Sequence, residues 1–175
     1  MTIVVLGASG ELGAAVVNRL LEAGDDVGVI EPSPERAELW RRAGALVAPG
    51  SSSDADLIER AAQDARTLVV LGADRDVLNA AVEGARFAGV ERIVVTWPRS
   101  KPESIALLRA SGLDYVVLET GRRLLRATSP ADVGRAVDAA DDLPGRPRLE
   151  LSLRSTEAWR ELRLEPPQGR SGAHS

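Results

Sequence analysis

The sequence predicts an α/β fold with one doubly wound parallel sheet and helices on both faces. Short runs rich in Val, Ile and Leu alternate along the chain with stretches whose apolar residues recur at helical spacing. The apolar runs are continuous, as in strands that are buried on both faces of a parallel sheet. The connections between them are short, and a length of 175 residues is suited to a single domain.

Seven strands and six helices follow from this alternation. The predicted strands cover residues 2–6, 27–30, 45–48, 67–71, 92–96, 115–118 and, as a last edge strand, 149–153. The first helix follows the first strand and ends at Gly24, and the others cover residues 34–43, 54–63, 74–88, 102–111 and 130–140. Asp54 and Ser129 are predicted N-caps. In such sheets ligands bind beyond the carboxyl ends of the strands, near the switch in strand order.

Residues 1–153 are predicted to form this domain, with no internal repeat and no dividing linker. Residues 154–175 form a C-terminal extension, which we expect to be flexible from residue 165 because it is rich in Pro, Gly and Ser. Since aromatic residues make up only 3% of the chain, the core must consist mainly of Val, Leu, Ile and Ala. Phe87 and Tyr115 are predicted to lie in that core.

The composition excludes several classes of function. The chain has no cysteine, which rules out disulfides, thiolate metal sites and a cysteine nucleophile. Its single histidine is the penultimate residue, so we expect neither a histidine metal cluster nor a Ser-His-Asp triad. A net charge of −4 argues against nucleic acid, and no apolar run approaches the ~20 residues that span a bilayer. Without a targeting segment, we expect a cytoplasmic protein that acts on a small molecule and has no membrane partner.

The strongest motif is the glycine loop of residues 7–13, which joins the first strand to the first helix. Its sequence is Gly7-Ala8-Ser9-Gly10-Glu11-Leu12-Gly13. Gly7 permits a tight turn, Gly10 lets phosphate oxygens approach the backbone, and Gly13 lets the helix pack closely. The free N–H groups and the dipole at a helix N-terminus attract a pyrophosphate. The loop therefore predicts a Rossmann-type dinucleotide site, the alternative being a tight strand–helix turn that binds nothing.

Glu31 is predicted to end the second strand. An acidic residue there accepts hydrogen bonds from the adenosine ribose 2′-hydroxyl, whereas a 2′-phosphate would face a like charge. This favours NAD(H) slightly over NADP(H) as the cofactor. An exposed loop carboxylate is the alternative interpretation.

Several segments resemble the atypical short-chain dehydrogenase/reductase group, in particular the NmrA-like NAD(P)H-binding proteins, and their layout is also similar to that of small flavin and biliverdin reductases. They are the glycine loop, Leu71-Gly72-Ala73, and residues 89–95, 111–115 and 130–133. The resemblance implies that Gly72 and Ala73 contact the cofactor, that Thr96 and Trp97 border the nicotinamide, and that Lys101 matches a position where relatives often carry lysine. The chain departs from relatives in having Glu119-Thr120-Gly121 where they usually read Arg-Pro-Gly.

The catalytic pair of short-chain dehydrogenases is not recognisable. Those enzymes use a Tyr-x-x-x-Lys pair on one helix, but the only tyrosine, Tyr115, lies in a predicted strand and the only lysine is Lys101. Thr96 is a candidate hydrogen-bond donor to a substrate carbonyl, or a simple strand-end threonine. Trp97 either stacks against the nicotinamide or a planar substrate, or only packs at the rim of the site. The arginine-rich cluster at residues 122–126 either binds an anionic substrate or partner, or forms a solvent-exposed face.

Two main hypotheses for the function follow. The first is an NAD(P)H-dependent reductase of a small conjugated or carbonyl substrate, because hydride transfer to a strong acceptor needs mostly positioning. The second is a non-catalytic NmrA-like redox sensor, which the missing Tyr–Lys pair favours. A degenerate fold used only for oligomerisation is disfavoured by the intact loop glycines, while a homodimer is compatible with either main hypothesis.

Overall fold

The computed structural model describes residues 2–72, 74–98, 101–121, 128–145 and 147–153. Strands and helices alternate throughout: β1 (Thr2–Leu6), α1 (Gly10–Ala23), β2 (Asp26–Glu31), α2 (Pro34–Ala43), β3 (Leu46–Pro49), α3 (Ala55–Ala61), β4 (Ala65–Leu71), α4 (Arg75–Ala88), β5 (Arg92–Trp97), α5 (Pro102–Ala110), β6 (Asp114–Glu119), α6 (Pro130–Asp141) and β7 (Arg148–Ser152). Every predicted element is present among these, with ends that differ by at most two residues. The predicted extension at residues 154–175 and the basic cluster at 122–126 lie outside the described residues.

The seven strands form one sheet in the order β3-β2-β1-β4-β5-β6-β7. Every neighbouring pair is parallel, including β6 with β7. The predicted doubly wound parallel fold is therefore confirmed. The strand order reverses between β1 and β4, so the crevice above these two strands is the switch point at which such sheets bind ligands.

Two apolar clusters cover the faces of the sheet. On one face, strand residues such as Val5, Val94 and Leu118 pack against α1 and α6. On the other face, residues such as Val70, Val95 and Val117 pack against α3, α4 and α5. Successive side chains of a strand point to opposite faces. The face on which a residue at the end of a strand lies therefore decides which helices it contacts.

Local signals explain where most helices begin. Ser33, Asp54, Asp74 and Ser129 each accept a hydrogen bond from a backbone N–H in the first turn of the helix that follows. A cap of this kind satisfies one of the N–H groups that have no partner within the helix. The predicted caps at Asp54 and Ser129 are confirmed.

The helix pair α1–α6 is fixed by close contact and by charge. A Cβ added at Gly134 of α6 would lie 2.9 Å from the carbonyl oxygen of Ala15, so glycine permits the close approach of the helices. Arg19 of α1 forms an ion pair with Asp138 of α6 at 2.7 Å. At the far end of α6, the buried Arg92 donates to the carbonyl oxygens of Ala140, Asp141 and Leu143. Burial lowers the pKa of Arg92. These contacts hold the start of α6 beside the start of α1.

The prediction that Phe87 lies in the core is wrong. Phe87 is 71% exposed on α4. The buried residues of that helix include Leu78, Ala81 and Ala85, and Phe87 comes two residues after Ala85. Two residues correspond to more than half a helical turn, so Phe87 faces away from the sheet. By contrast, Tyr115 is buried among the apolar residues facing α4 and α5, as predicted.

Candidate functional site

The glycine loop lies at the switch point, between β1 and the start of α1. Gly7 has a φ of +74°, and a Cβ at this position would lie 2.5 Å from the carbonyl oxygen of Leu71 at the end of β4. A Cβ at Gly13 would lie 1.9 Å from the carbonyl oxygen of Ala8. Both distances are far below van der Waals contact, so a larger residue at either position would push the loop away from the sheet or from α1.

The start of α1 is open to solvent. Gly10 has a φ of +78°, and nothing lies within 4 Å of the position that its Cβ would take. The residue before it, Ser9, occupies the N-cap position but makes no side-chain capping hydrogen bond. The first N–H groups of α1 and the positive end of its dipole are therefore available to an anion.

A cleft of about 460 Å³ opens beside this helix end. It lies between the glycine loop and the two segments that follow β6 and precede α6. The apolar part of its lining is formed by Leu12, Pro130 and Val133, and the three hydroxyl groups belong to Ser9, Thr120 and Thr128. Glu11 and Gly121 complete the lining. Pockets for small ligands typically have volumes of about 300–1,000 Å³ and a mainly apolar lining with a few polar groups.

Thr120 and Thr128 are the residues of the cleft that sequence reasoning missed. The Thr120 hydroxyl donates to the carbonyl oxygen of Trp97 at 3.2 Å, and the Thr128 hydroxyl donates to that of Leu153 at 2.5 Å. Both hydroxyls therefore fix loop backbone at the rim of the cleft. Thr120 was available as a departure from the family pattern, but no feature of the sequence marks Thr128.

Glu31 ends β2, as predicted, and its surroundings contradict the alternative interpretation as an exposed loop carboxylate. The side chain is only 1% exposed, so it is not a free loop carboxylate. Its Oε1 accepts a hydrogen bond from the backbone N–H of Ser33 at 2.9 Å and forms an ion pair with Nη2 of Arg36, also at 2.9 Å. The hydrogen bond to Glu31 raises the pKa of the half-exposed Arg36. The end of β2 thus carries a carboxylate and a guanidinium together.

Gly72 follows β4 directly beside the glycine loop. It is exposed, and its backbone N–H donates to the carbonyl oxygen of Thr96 at 3.0 Å. The switch point therefore has a glycine on each side, Gly7 after β1 and Gly72 after β4. The neighbouring Ala73 lies outside the described residues.

Thr96 and Trp97 lie on opposite faces of the sheet. Thr96 is in register with Leu71 and Leu118, which belong to the apolar cluster under α1 and α6. It is 1% exposed, and its hydroxyl has no hydrogen-bond partner among the described residues. Trp97 is 6% exposed and belongs, like Ile105, to the cluster facing α4 and α5. The side chain of Trp97 therefore points away from the face that holds the cleft. This favours a packing role for Trp97 and disfavours stacking against a bound ring.

Tyr115 and Lys101 are not brought together at the carboxyl edge of the sheet. Tyr115 is the second residue of β6 and therefore lies towards the opposite edge. Lys101 is exposed at the N-cap position of α5 and does not line the cleft. Within the described ranges, no group of acidic residues is arranged to hold a metal ion, and no helix has the length and apolar character to cross a bilayer.

Solved structures with the same fold include three reductases. The anaerobillin reductase ChuY from Escherichia coli O157:H7 is 18% identical, with a TM-score of 0.71 over 87% of this chain and 96% of that one. The quinone oxidoreductase QOR2 from Escherichia coli, complexed with NADPH, is 19% identical, with a TM-score of 0.76 over 87% and 69%. The Citrobacter sp. triphenylmethane reductase, complexed with NADP(H), is 16% identical, with a TM-score of 0.72 over 86% and 68%.

Sequence comparison gives the family. No curated protein has a detectably similar sequence. Because the solved structures described above share only 16% to 19% of their residues with this chain, their similarity shows the fold alone. The TrkA-N domain family matches residues 3–119, which is more than half of the chain. The match includes the glycine loop, Glu31, Gly72 and Thr96. With its parallel sheet and open glycine loop, the chain belongs to the TrkA-N family of NAD(P)-binding Rossmann domains.

Proposed function

We propose that the protein is an NAD(P)H-dependent oxidoreductase that reduces a small conjugated or carbonyl substrate. The observation that carries the proposal is the cleft of about 460 Å³, which opens directly beside the uncapped, glycine-lined start of α1. A dinucleotide bound at that helix end would direct one of its halves into a space that is large enough for a planar ring and is partly apolar. The known reductases with the same fold support this reading.

The described residues fit a dinucleotide laid across the carboxyl edge of the sheet. The pyrophosphate would lie against Gly7, Ala8, Ser9, Gly10 and the first N–H groups of α1, because these carry no side chain that blocks an anion. The adenosine ribose would lie over the end of β2. The nicotinamide would then extend over the ends of β5 and β6. Glu11, Leu12, Gly13, Gly72, Ala73 and Lys101 complete the proposed cofactor residues.

The reduced nicotinamide supplies hydride when it is bound. The protein's own contribution would be to position the acceptor and to exclude water, with Leu12, Pro130 and Val133 forming the apolar part of the wall. We propose that the hydroxyl of Thr96 donates a hydrogen bond at the substrate end, because a buried hydroxyl without a partner costs about 1–3 kcal/mol and a ligand would supply the missing partner. A threonine is not a strong acid. The substrate class is therefore a strong acceptor, such as a flavin or quinone, whose proton comes from solvent.

Thr96 can be tested against a matched threonine. Thr67 is also buried on the same strand–helix face, and its hydroxyl likewise has no partner among the described residues, but it lies near the start of β4. We expect Thr96→Val to lower turnover of a planar acceptor at least several-fold and Thr67→Val to leave it unchanged, as measured by NADH oxidation with flavins, quinones and aldehydes. We also expect little pH dependence between pH 6 and 8. Equal turnover in the two variants would remove Thr96 from the reaction.

We further propose that NAD(H) is preferred slightly over NADP(H), and that the Glu31–Arg36 pair sets this preference. Glu31 would accept from the ribose hydroxyls, while a 2′-phosphate would bring up to about two negative charges beside it. The half-exposed Arg36 offsets part of that repulsion, since its guanidinium reaches the same place. Both charges belong to one ion pair, so the preference is expected to be small.

The preference is measured by titration with NADH and NADPH. We expect Arg36→Gln to weaken NADPH binding several-fold more than NADH binding, and Glu31→Gln to remove the preference for NADH. Arg42→Gln is the control, because Arg42 is an exposed arginine on the same helix that pairs with Glu38 instead. A wild-type protein that binds NADPH more tightly than NADH would contradict the proposed role of Glu31.

A non-catalytic redox sensor is the second candidate. The position of Tyr115, buried towards the opposite edge of the sheet from the cleft, favours it, because no Tyr–Lys pair is available to protonate a substrate. Measuring NADH binding together with NADH oxidation distinguishes the two functions. Tight NADH binding without oxidation by any acceptor would support the sensor, and NADH oxidation that depends on Thr96 would support the reductase.

A further inference from the structure

The two sides of the cleft differ in the hydrogen-bonding groups that they offer to a ligand. On the side of α1, the start of the helix has no side-chain cap, so its first N–H groups can donate. The other side is formed by Thr120 and Thr128, and by Pro130 and Val133 at the start of α6. We call these four residues the α6 wall.

The backbone N–H groups of the α6 wall are all used within the protein. That of Thr120 donates to the carbonyl oxygen of Trp97 at 2.7 Å. That of Thr128 donates to the carbonyl oxygen of Thr120 at 3.3 Å, and that of Val133 to the carbonyl oxygen of the N-cap residue of α6 at 3.0 Å. Pro130 has no N–H group. The backbone of the α6 wall therefore has no donor left for a ligand.

The two hydroxyl groups of the α6 wall have also used their protons. The Thr120 hydroxyl bonds the carbonyl oxygen of Trp97, and the Thr128 hydroxyl bonds that of Leu153. Because a carbonyl oxygen only accepts, each hydroxyl must be the donor, and only its lone pairs remain. The other two side chains of the wall are apolar. The α6 wall can therefore accept hydrogen bonds from a ligand but cannot donate any.

The remaining polar side chains of the cleft fit the same pattern. The exposed Glu11 adds carboxylate oxygens, which are acceptors. Ser9 lies at the helix end for which we propose the pyrophosphate. Thr96, the proposed donor at the substrate end, is in register with Leu118, two residues before Thr120. The substrate end thus combines one proposed donor with several acceptors.

We infer that the substrate is a planar acceptor that carries an N–H group beside a carbonyl, as in an imide or a lactam. The inference rests on the proposed oxidoreductase function and narrows its substrate class. The carbonyl would accept from Thr96, and the N–H would donate to Thr120 or Thr128. A simple quinone has only carbonyl oxygens at its edge, so lone pairs would face lone pairs at the α6 wall. Buried acceptors left without a donor lower affinity, which selects against such a ring.

The first test compares two ligands that differ by one donor. Lumiflavin has a single ring N–H, which lies between two carbonyls, and its N-methyl derivative carries a methyl group there instead. Equilibrium dialysis of the full chain with each oxidised flavin measures both affinities. Saturating NAD⁺ or NADP⁺ is present, since neither can supply hydride. We expect the methylated flavin to bind at least about tenfold more weakly than lumiflavin.

The second test separates the hydrogen bond from the bulk of the added methyl group. The double variant Thr120→Val, Thr128→Val removes both acceptors and keeps the side-chain shape, so it should bind the two flavins equally. The double variant Thr120→Ser, Thr128→Ser keeps both hydroxyls and should retain the preference for lumiflavin. Thr67→Val is the matched control, because Thr67 is buried outside the cleft, and it should also retain the preference. NADH binding by every variant serves as the check on folding.

The results that overturn this inference differ from those that overturn the reductase. A wild-type protein that binds the two flavins equally, or binds neither, would overturn the inference, even if a quinone oxidises NADH. A preference for lumiflavin that persists in the valine double variant would also overturn it. Selective binding of lumiflavin without NADH oxidation by any acceptor would refute the reductase, while the α6 wall would still select a ligand by its N–H group.

Discussion

The N-termini of α1 and α6 border the same cleft and belong to helices packed side by side, yet they are built differently. At α6, the Ser129 hydroxyl accepts from the backbone N–H of Asp132 at 3.1 Å and donates to its carboxylate at 2.7 Å, and Arg135 donates to the same carboxylate at 2.5 Å. At α1, the N-cap Ser9 makes no such bond. The comparison distinguishes a helix end that is capped by side chains from one whose first N–H groups receive no side-chain cap.

The difference has an energetic consequence. A side-chain cap contributes about 1 kcal/mol to the stability of a helix. The start of α6 has this contribution in the free protein, while α1 gains the equivalent contacts only when an anion binds. A ligand that binds only the folded state raises the free energy of unfolding. Once the ligand concentration exceeds the dissociation constant, this gain grows with the logarithm of the ligand concentration. We therefore expect NADH to raise the unfolding temperature through α1.

The largest effect is expected from a change that closes the open helix end. Gly10→Val introduces a side chain where the pyrophosphate is expected to bind, so NADH affinity should fall at least about tenfold, which corresponds to about 1.4 kcal/mol. The measurement is calorimetric titration with NADH. The matched control is Gly24→Val at the other end of α1, where φ is +91° and nothing lies within 4 Å of the Cβ position.

Both substitutions place a β-branched residue in a left-handed conformation, so they should strain the backbone to a similar extent. Only Gly10→Val should weaken binding. If Gly24→Val weakened NADH affinity equally, the loss would come from destabilisation of α1, and the glycine loop would lose its assignment as the phosphate site.

A smaller effect is expected from removing the two serines at the helix starts. Ser129→Ala should lower the free energy of unfolding by about 1 kcal/mol, because it removes the cap of α6. Ser9→Ala should leave the free energy of unfolding nearly unchanged, since Ser9 forms no cap. Urea unfolding of the ligand-free protein measures both. Equal losses from the two changes would mean that the helix ends do not differ as described.

The sequence predicts the parts of this comparison that depend on local chemistry. The glycine loop and the caps at Asp54 and Ser129 are contained in short segments, so the pattern of residue types is enough to find them. Features that depend on how elements pack are different. The Glu31–Arg36 ion pair joins the end of β2 to α2, the hydroxyls of Thr120 and Thr128 contact distant backbone, and Phe87 is exposed on α4; residue spacing alone determines none of these.

Trp97 shows the same limit for the candidate site. The sequence correctly predicts that it ends β5 near Thr96, and neighbouring numbers suggest one shared site. Successive residues of a strand point to opposite faces, so Thr96 and Trp97 pack against different helices. Which face carries the cleft could not be predicted without the helix positions.

The smallest effect concerns the charge at the closed helix end. Burial raises the pKa of Asp132, but the hydrogen bonds from Ser129 and Arg135 outweigh it and leave the pKa below its ordinary value. A carboxyl group whose pKa is lowered in the folded state stabilises the protein above its unfolded pKa of about 3.9, and this contribution is lost as the pH falls through the folded value.

Asp132→Asn should therefore lower the free energy of unfolding by about 0.5 kcal/mol at pH 7, a typical size for a carboxylate near a helix N-terminus. The deficit relative to wild type should begin to shrink as the pH falls below about 4 and should disappear only below the lowered pKa of the folded state. Asp76→Asn, which changes an exposed first-turn acid of α4, is the control and should show a smaller deficit, because no side chain of the described residues donates a hydrogen bond to Asp76. Urea unfolding of the three proteins between neutral and acid pH measures this. A deficit of Asp132→Asn that stays constant across that range would show that the shape of the side chain, and not its charge, supports the start of α6.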